Sequence, residues 1–233
     1  MNDILNNEAY LFISSKKLII SVNSELNEKV YFEESSIESD FRQNNFEKLD
    51  LFLNQNIYKI EKKFQNFIEN VTIILDLDIF FHVEISVKKN DFNDFINIKD
   101  LNYLLYEAKE SCKKTIDTKK IIHMLVKNYQ VDNESYSFFP KDIKCHSYSL
   151  DLKLICIPDS SIRELETILK KYSISLKQIV SAEYIKEFFT TEDNDIFSVT
   201  KKITSGHNPN EVEMIDKISK KQGFFTKFFD FFS

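Results

Sequence analysis

The chain has 233 residues, 42% of them hydrophobic and 29% charged, with a formal net charge of −6. That is enough apolar material for a packed core, and the acidic balance argues against general nucleic-acid binding, whose affinity comes mainly from neutralising phosphates. Glycine excludes more: Gly206 and Gly223 both fall near the end, so residues 1–205 hold no glycine-rich phosphate cradle and no dinucleotide fingerprint. In chain order, residues 9–23 read AYLFISSKKLIISVN, two apolar runs on either side of Ser14–Lys17, and predict a hairpin. Lys29–Phe32 adds a third strand. Between Asn45 and Asn70 the apolar positions Phe46, Leu49, Phe52, Leu53, Ile57, Ile60, Phe64, Phe67 and Ile68 recur every three or four residues and predict a long amphipathic helix. Val71–Leu75 and Phe80–Val87 read as strands. Asn97–Asp100 caps a helix whose apolar stripe is Leu101, Leu104, Leu105, Ala108 and Cys112. Ile121–Tyr129 is an apolar strand. In the next strand Tyr148, Leu150, Leu152, Leu154 and Cys156 alternate with Ser149, Asp151 and Lys153, so one face should be buried and the other solvated. Pro158 stops it, and Ser161 with Glu164 predicts a capping box that opens a helix carrying Ile162, Leu165, Ile168 and Leu169 on one face. Ser173–Val180 predicts a further strand and Ala182–Phe189 a short helix. Strands and helices mixed in this way predict an α+β protein. From 190 to 216 the chain is polar and holds Gly206 and Pro209, the composition of a flexible linker, with Val212, Ile215 and Ile218 starting a weak helical stripe.

The last stretch reads GFFTKFFDFFS, with six phenylalanines in the final ten positions. At about 100° per residue, Phe224, Phe225, Phe228, Phe229, Phe231 and Phe232 share one side of a helix, while Thr226, Lys227, Asp230 and Ser233 take the other. Lys217, Lys220 and Lys221 lie just upstream. A span needs roughly 20 apolar residues; a short helix with an aromatic face and a basic approach suits the plane of a membrane surface. The membrane-binding residues are therefore expected to be Phe224, Phe225, Phe228, Phe229, Phe231, Phe232, Lys220, Lys221 and Lys227. The alternative is a terminal helix that docks its rings on the protein's own core. MNDILNNEAY has neither the basic start nor the apolar core of a signal peptide. Cys112, Cys145 and Cys156 form no disulfide framework. Together these predict a cytosolic chain that touches a membrane from inside.

The remaining chemistry-bearing residues read as structural. His82, His123, Cys145 and His146 match no spaced zinc pattern. His123, inside an apolar strand, is expected to be a hydrogen-bonded core histidine. Cys145 and His146 are adjacent on an extended segment and point to opposite faces, which separates a thiol from its base. Cys112 and Cys156 continue apolar stripes as core residues. Asp76 and Asp78 resemble a magnesium-binding pair, but without a phosphate loop nearby a turn is the better reading. Lys16 and Lys17 are expected in a solvated turn.

Three stretches together resemble FtsA, the bacterial actin-like family that anchors the division ring to the membrane. The first is INIKDLNYLLYEAKE followed by KKIIHMLVKNYQVDNE, with Ile121–His123 and Tyr129–Asp132 matching the family's strand. The second, HSYSLDLKLICIPDSSIRELETILKKYSISLKQIVSAEYIKEFFTTED, is similar to the strand, helix, strand and helix that return to the actin core. The third is the terminal SKKQGFFTKFFDFFS. The resemblance implies a partial actin-like (ribonuclease H-like) subdomain at 1–83, an inserted SHS2-like α+β interaction subdomain at 84–175, a return to the core at 176–189, a linker at 190–216 and a membrane-targeting amphipathic helix at 217–233. It departs from the family at the first phosphate loop, where Phe12 and Ser14 replace an aspartate and a glycine and only Lys17 fits. The second phosphate strand expected after Asp193, and with it the lobe that carries the FtsZ contact, is not found in this sequence. The resemblance, with these departures, implies an adaptor with no catalytic, cofactor-binding or metal-binding residue. Its partners would be cell-division proteins, the cytoplasmic face of the inner membrane at the division site and further copies of itself, and no nucleic acid. An adaptor of a pilus or secretion platform is the alternative, and an ATPase the third.

Overall fold

The computed structural model describes residues 7–24, 29–37, 46–90, 92–188 and 195–212. The first half of the chain builds a sheet. Strands β1 (Glu8–Ser14) and β2 (Lys17–Asn23) form the expected hairpin, and β3 (Lys29–Ser36) pairs antiparallel with β2. Helix α1 (Glu47–Phe64) then leads to β4 (Asn70–Asp76), which runs parallel to β1. The chain leaves through β5 (Phe81–Lys89), β6 (Asp94–Phe95), α2 (Ile98–Cys112), β7 (Lys119–Val131), β8 (Glu134–Tyr136), β9 (Lys144–Cys145) and β10 (Tyr148–Pro158). It returns through α3 (Asp159–Lys170) and β11 (Ser175–Ser181), which pairs parallel with β4. Helices α4 (Ala182–Phe188) and α5 (Ile196–Thr204) close the described fold. The result is α+β: a five-stranded sheet ordered β11-β4-β1-β2-β3, a four-stranded sheet ordered β5-β10-β7-β8, and the small pair β6-β9.

The apolar runs of β1, β2 and β4 do not alternate with polar residues because both faces of the five-stranded sheet are covered. Leu11, Ile13, Ile20, Ile73 and Leu75 pack under α1 (Leu49, Phe52, Leu53, Ile57, Ile60) and α3 (Leu165, Leu169). On the opposite face Tyr10, Phe12, Ile19 and Ile74 meet Tyr184 and Ile185 of α4 and Phe197, Val199 and Ile203 of α5. Each fully buried side chain of this size contributes roughly 1.5–3 kcal/mol. The four-stranded sheet has its own core, in which Leu101, Leu104 and Ala108 of α2 pack on Val87, Leu150, Leu152 and Val126.

Five expectations change. Helix α1 stops at Phe64, because Gln65 takes a left-handed conformation (φ 51°), and Phe67 is left 77% exposed. Strand β10 is buried on both faces rather than one: it lies between β5 and β7, and its nominally solvated positions Ser149 and Lys153 are covered. The capping box at Ser161 and Glu164 does not form. Pro158 already occupies the N-cap with φ −58°, no side chain caps the helix, and Ser161 is turned into the core with its hydroxyl unpartnered. Finally, the stretch assigned to a linker at 190–216 contains α5, capped by Asp195 and buried through Phe197, Val199, Thr200 and Ile203, and a docked segment through Val212. Helix α3 also lies on the five-stranded sheet instead of grouping with the inserted subdomain at 84–175. By contrast, Asn97 accepts from the backbone of Lys99 and Asp100 while Asp100 reaches back to the Asn97 N–H, the expected cap of α2.

Candidate functional site

In open α/β sheets a ligand crevice forms at the carboxyl ends of parallel strands. Strands β1, β4 and β11 end there in Ser14, Asp76 and Ser181. The hairpin turn is closed on itself: the N–H groups of Lys16 and Lys17 donate to Ser14 Oγ at 3.3 and 3.0 Å. Lys17 Nζ lies 3.5 Å from Glu34 and 5.8 Å from the centre of the Phe12 ring. Asp76 receives Lys186 Nζ at 3.1 Å, and Asp78 sits in the turn after β4, as read from the sequence. Cys145 is buried while His146 is exposed and bonded to Asn93 Oδ1 at 2.6 Å, so adjacency brings thiol and imidazole no closer to a dyad. Cys112 and Cys156 share one apolar cluster, and burial pushes the Cys156 thiol up to about 11. Among the described residues no group of three or more His, Cys, Asp or Glu is placed to hold a metal, and no helix is long and apolar enough to cross a membrane.

The chemistry concentrates instead where the two sheets meet. Lys153 of β10, only 7% exposed, places Nζ 2.6 Å from Glu187 Oε1 and 3.2 Å from Glu183 Oε1, both on α4. Lys127 of β7 reaches Glu187 at 3.2 Å, and His82 of β5 approaches Glu183 at 3.5 Å. Burial opposes the charge on Lys153, but the hydrogen bonds it donates to Glu187 and Glu183 prevail and raise its pKa. Glu187 is likewise resisted by burial and carried below its ordinary value by Lys153 and Lys127.

One turn of chain past α5, a strap at residues 207–212 crosses onto the four-stranded sheet. Leu125 bridges Glu211 antiparallel, with Val126 N–H donating to Asn210 O at 2.8 Å and Val212 N–H to Met124 O at 2.9 Å. Ser181 N–H donates to His123 Nε2 at 3.2 Å, which puts the ring proton of the neutral imidazole on Nδ1, 2.7 Å from Glu211 Oε1. Tyr184 O–H donates to the other carboxylate oxygen at 2.7 Å and accepts from Asn208 Nδ2 at 2.7 Å. Burial raises the Tyr184 pKa, Asn208 opposes and Glu211 adds to it, so the phenol stays a donor. His123 is thus the hydrogen-bonded core histidine expected. The network around it, with Glu211 on the ring, Tyr184 beside it and Asn208 on the Tyr184 hydroxyl, has no local sequence signal, although Ile196, Val199, Thr200 and Ile203 followed by Gly206 spell a helix and its end.

A second surface belongs to α2, whose outward side carries Tyr103 (56% exposed) and Tyr106 (64%), with Phe95 and Ile98 also exposed nearby in sequence. The expected membrane-binding residues, Phe224, Phe225, Phe228, Phe229, Phe231, Phe232, Lys220, Lys221 and Lys227, lie outside the described residues.

No family model matches the chain, and no curated protein matches it. Among solved structures it is similar to a chain of the PilM-PilN type IV pilus biogenesis complex, with a TM-score of 0.46 and 8% identity over 78% of this chain and 49% of that one. It is also similar to a Bacteroides thetaiotaomicron protein with an actin-like ATPase fold and unknown function, with a TM-score of 0.32 and 11% identity over 81% and 58% of the two chains. The chain therefore spans 49% and 58% of the lengths of these two structures. Both TM-scores lie below 0.5, and neither likeness carries an argument about fold or function.

Proposed function

We propose that this protein is a non-catalytic, partial actin-like adaptor held at a membrane surface by its phenylalanine-rich end. The exposed aromatic side of α2 carries the reading: Tyr103 and Tyr106 sit on a subdomain inserted between β4 and β11, a surface suited to a protein partner. The element order supports a partial actin-like lobe with an insert, since a hairpin, a third strand, a helix and a strand precede the inserted subdomain and a helix and parallel strand come after it. The self-closed turn at Ser14–Lys17 supports a role without ATP hydrolysis, because its backbone donors already have a partner. The resemblance to FtsA makes the partners cell-division proteins at the cytoplasmic face of the inner membrane; a pilus or secretion platform is the alternative setting. Phe225→Asp with Phe228→Asp should release the protein from vesicles containing anionic lipid. Unchanged co-sedimentation sinks the anchor. A fluorescent fusion that ignores the division site moves the reading to the alternative.

A further inference from the structure

The strap at 207–212 is bound as a peptide is bound by a receptor. Backbone bonds at Val126 and Met124 give it register, and its side chains give it identity. Glu211 is read by His123 and Tyr184, Asn208 by Tyr184, and Asn210 by the Ser137 carbonyl, to which its Nδ2 donates at 2.8 Å. The strap hangs from α5 by a hinge: Gly206 closes the helix at φ +74° with no heavy atom within 4 Å of the place its Cβ would take. The strap also holds part of its own shape, a turn in which Glu211 N–H donates to Asn208 O at 3.1 Å and Asn210 N–H to Asn208 Oδ1 at 3.0 Å.

From these contacts we infer that the groove along Met124–Val126 accepts the same strap from a second copy of this chain, giving a strand-exchanged dimer. The contacts are chemically identical in either arrangement, so the choice is set by effective concentration. A closed monomer is favoured when dilute and exchange when copies are crowded, the low-energy route by which an exchanged element makes a dimer. Geometry fixes the form. The three residues Gly206–Asn208 span at most about 11 Å, so the two grooves must lie side by side about a two-fold axis. Phe138, 66% exposed, follows directly on the Ser137 whose carbonyl holds the strap, and a second copy docked there would have this ring within its reach. The inference goes beyond the adaptor reading and needs no lipid, so it stands or fails separately from vesicle binding.

Complementation tests it. Glu211→Lys disables the strap and leaves the groove; His123→Leu disables the groove and leaves the strap. Each full-length variant alone should sediment as a monomer with fast hydrogen exchange at the Val126 amide. Mixed in equal amounts at high concentration, they should form a dimer in which only the Glu211→Lys copy regains protection at Val126, by about tenfold or more. Failure to dimerise or to regain protection overturns the inference. Protection retained by either variant alone also overturns it, because the carboxylate is then not what holds the strap. Slow exchange at Leu11 and Ile73 verifies that each variant is folded; if His123→Leu fails this, Tyr184→Phe serves as the groove-disabled copy.

Discussion

Lys153 points its ammonium into the contact between two sheets, where a methionine would fill the same volume without desolvating a charge. What it does there is set by α4. Glu183 and Glu187 are both substantially exposed, so they retain solvent when Lys153 is removed, and screening keeps each pair modest. Lys153→Met should therefore change stability by no more than about 1 kcal/mol. The pH dependence is more telling. The folded pKa of Glu187 is depressed, so its contribution is present above the ordinary glutamate range near 4.3 and lost as pH falls through the lower folded value. Lys153 is raised, so its contribution holds below about 10.4 and is lost only as pH climbs past the higher folded value. Glu8 and Asp132 add to the acid limb. Burial opposes Glu8, but Tyr10 and Lys201 lower it, while Asp132 is lowered first by the Ser147 N–H. Urea midpoints measured from pH 6 down to pH 3 should fall more gently for Glu187→Gln than for the wild type. Parallel curves would mean that α4 does not hold the second sheet through this pair.

Two helices that look alike in sequence start differently in space. Asn97 and Asp100 form a reciprocal cap, whereas Ser161, three residues before a glutamate, lies inside α3 because Pro158 begins that helix earlier. A proline with φ near −65° feeds directly into a helix, and a sequence pattern cannot say which of two candidate starts wins. Asn97→Ala should cost about 1 kcal/mol. Ser161→Ala should be neutral or slightly stabilising, since the hydroxyl is buried without a partner. Thermal melts of the two variants read the contrast, and equal losses would restore the capping box. The same limit governs β10. Its alternation of Leu150, Leu152 and Leu154 with Asp151 and Lys153 is real, yet burial of the second face depends on α4, which arrives about thirty residues later in the chain. Periodicity made the strands and helices legible, because each is a local pattern. It hid the layer that covers them. Residues 190–216 read as a linker because Gly206, Pro209 and several charged side chains outweighed the four apolar positions of α5. The clasp at Glu211 was illegible because its donors, His123 and Tyr184, are distant in sequence and nothing local marks them.

At the scale of the whole molecule, residues 195–212 bind the two sheets into one body. Helix α5 seals the five-stranded sheet while the strap borders the four-stranded one, and Lys201 ties the helix to Glu8 at 3.2 Å. The tail read as a membrane anchor, 217–233, follows this segment in the sequence. Truncation separates the two roles. A chain ending at Val212 should melt in one transition within about 2 °C of the full chain, since it retains every described contact, and should no longer sediment with anionic vesicles. A chain ending at Gly206 also strips His123 and Tyr184 of their partners. At about 1–3 kcal/mol for each of the two buried groups left unpaired, and roughly 2–4 °C per kcal/mol for a chain of this size, its midpoint should fall by about 4–24 °C. Its four-stranded sheet should then exchange amide hydrogen faster than its five-stranded one, because the first loses its tie while the second keeps α5. Equal protection of both sheets in that shorter chain would show that the interface at Lys153 suffices, and that the strap joins nothing.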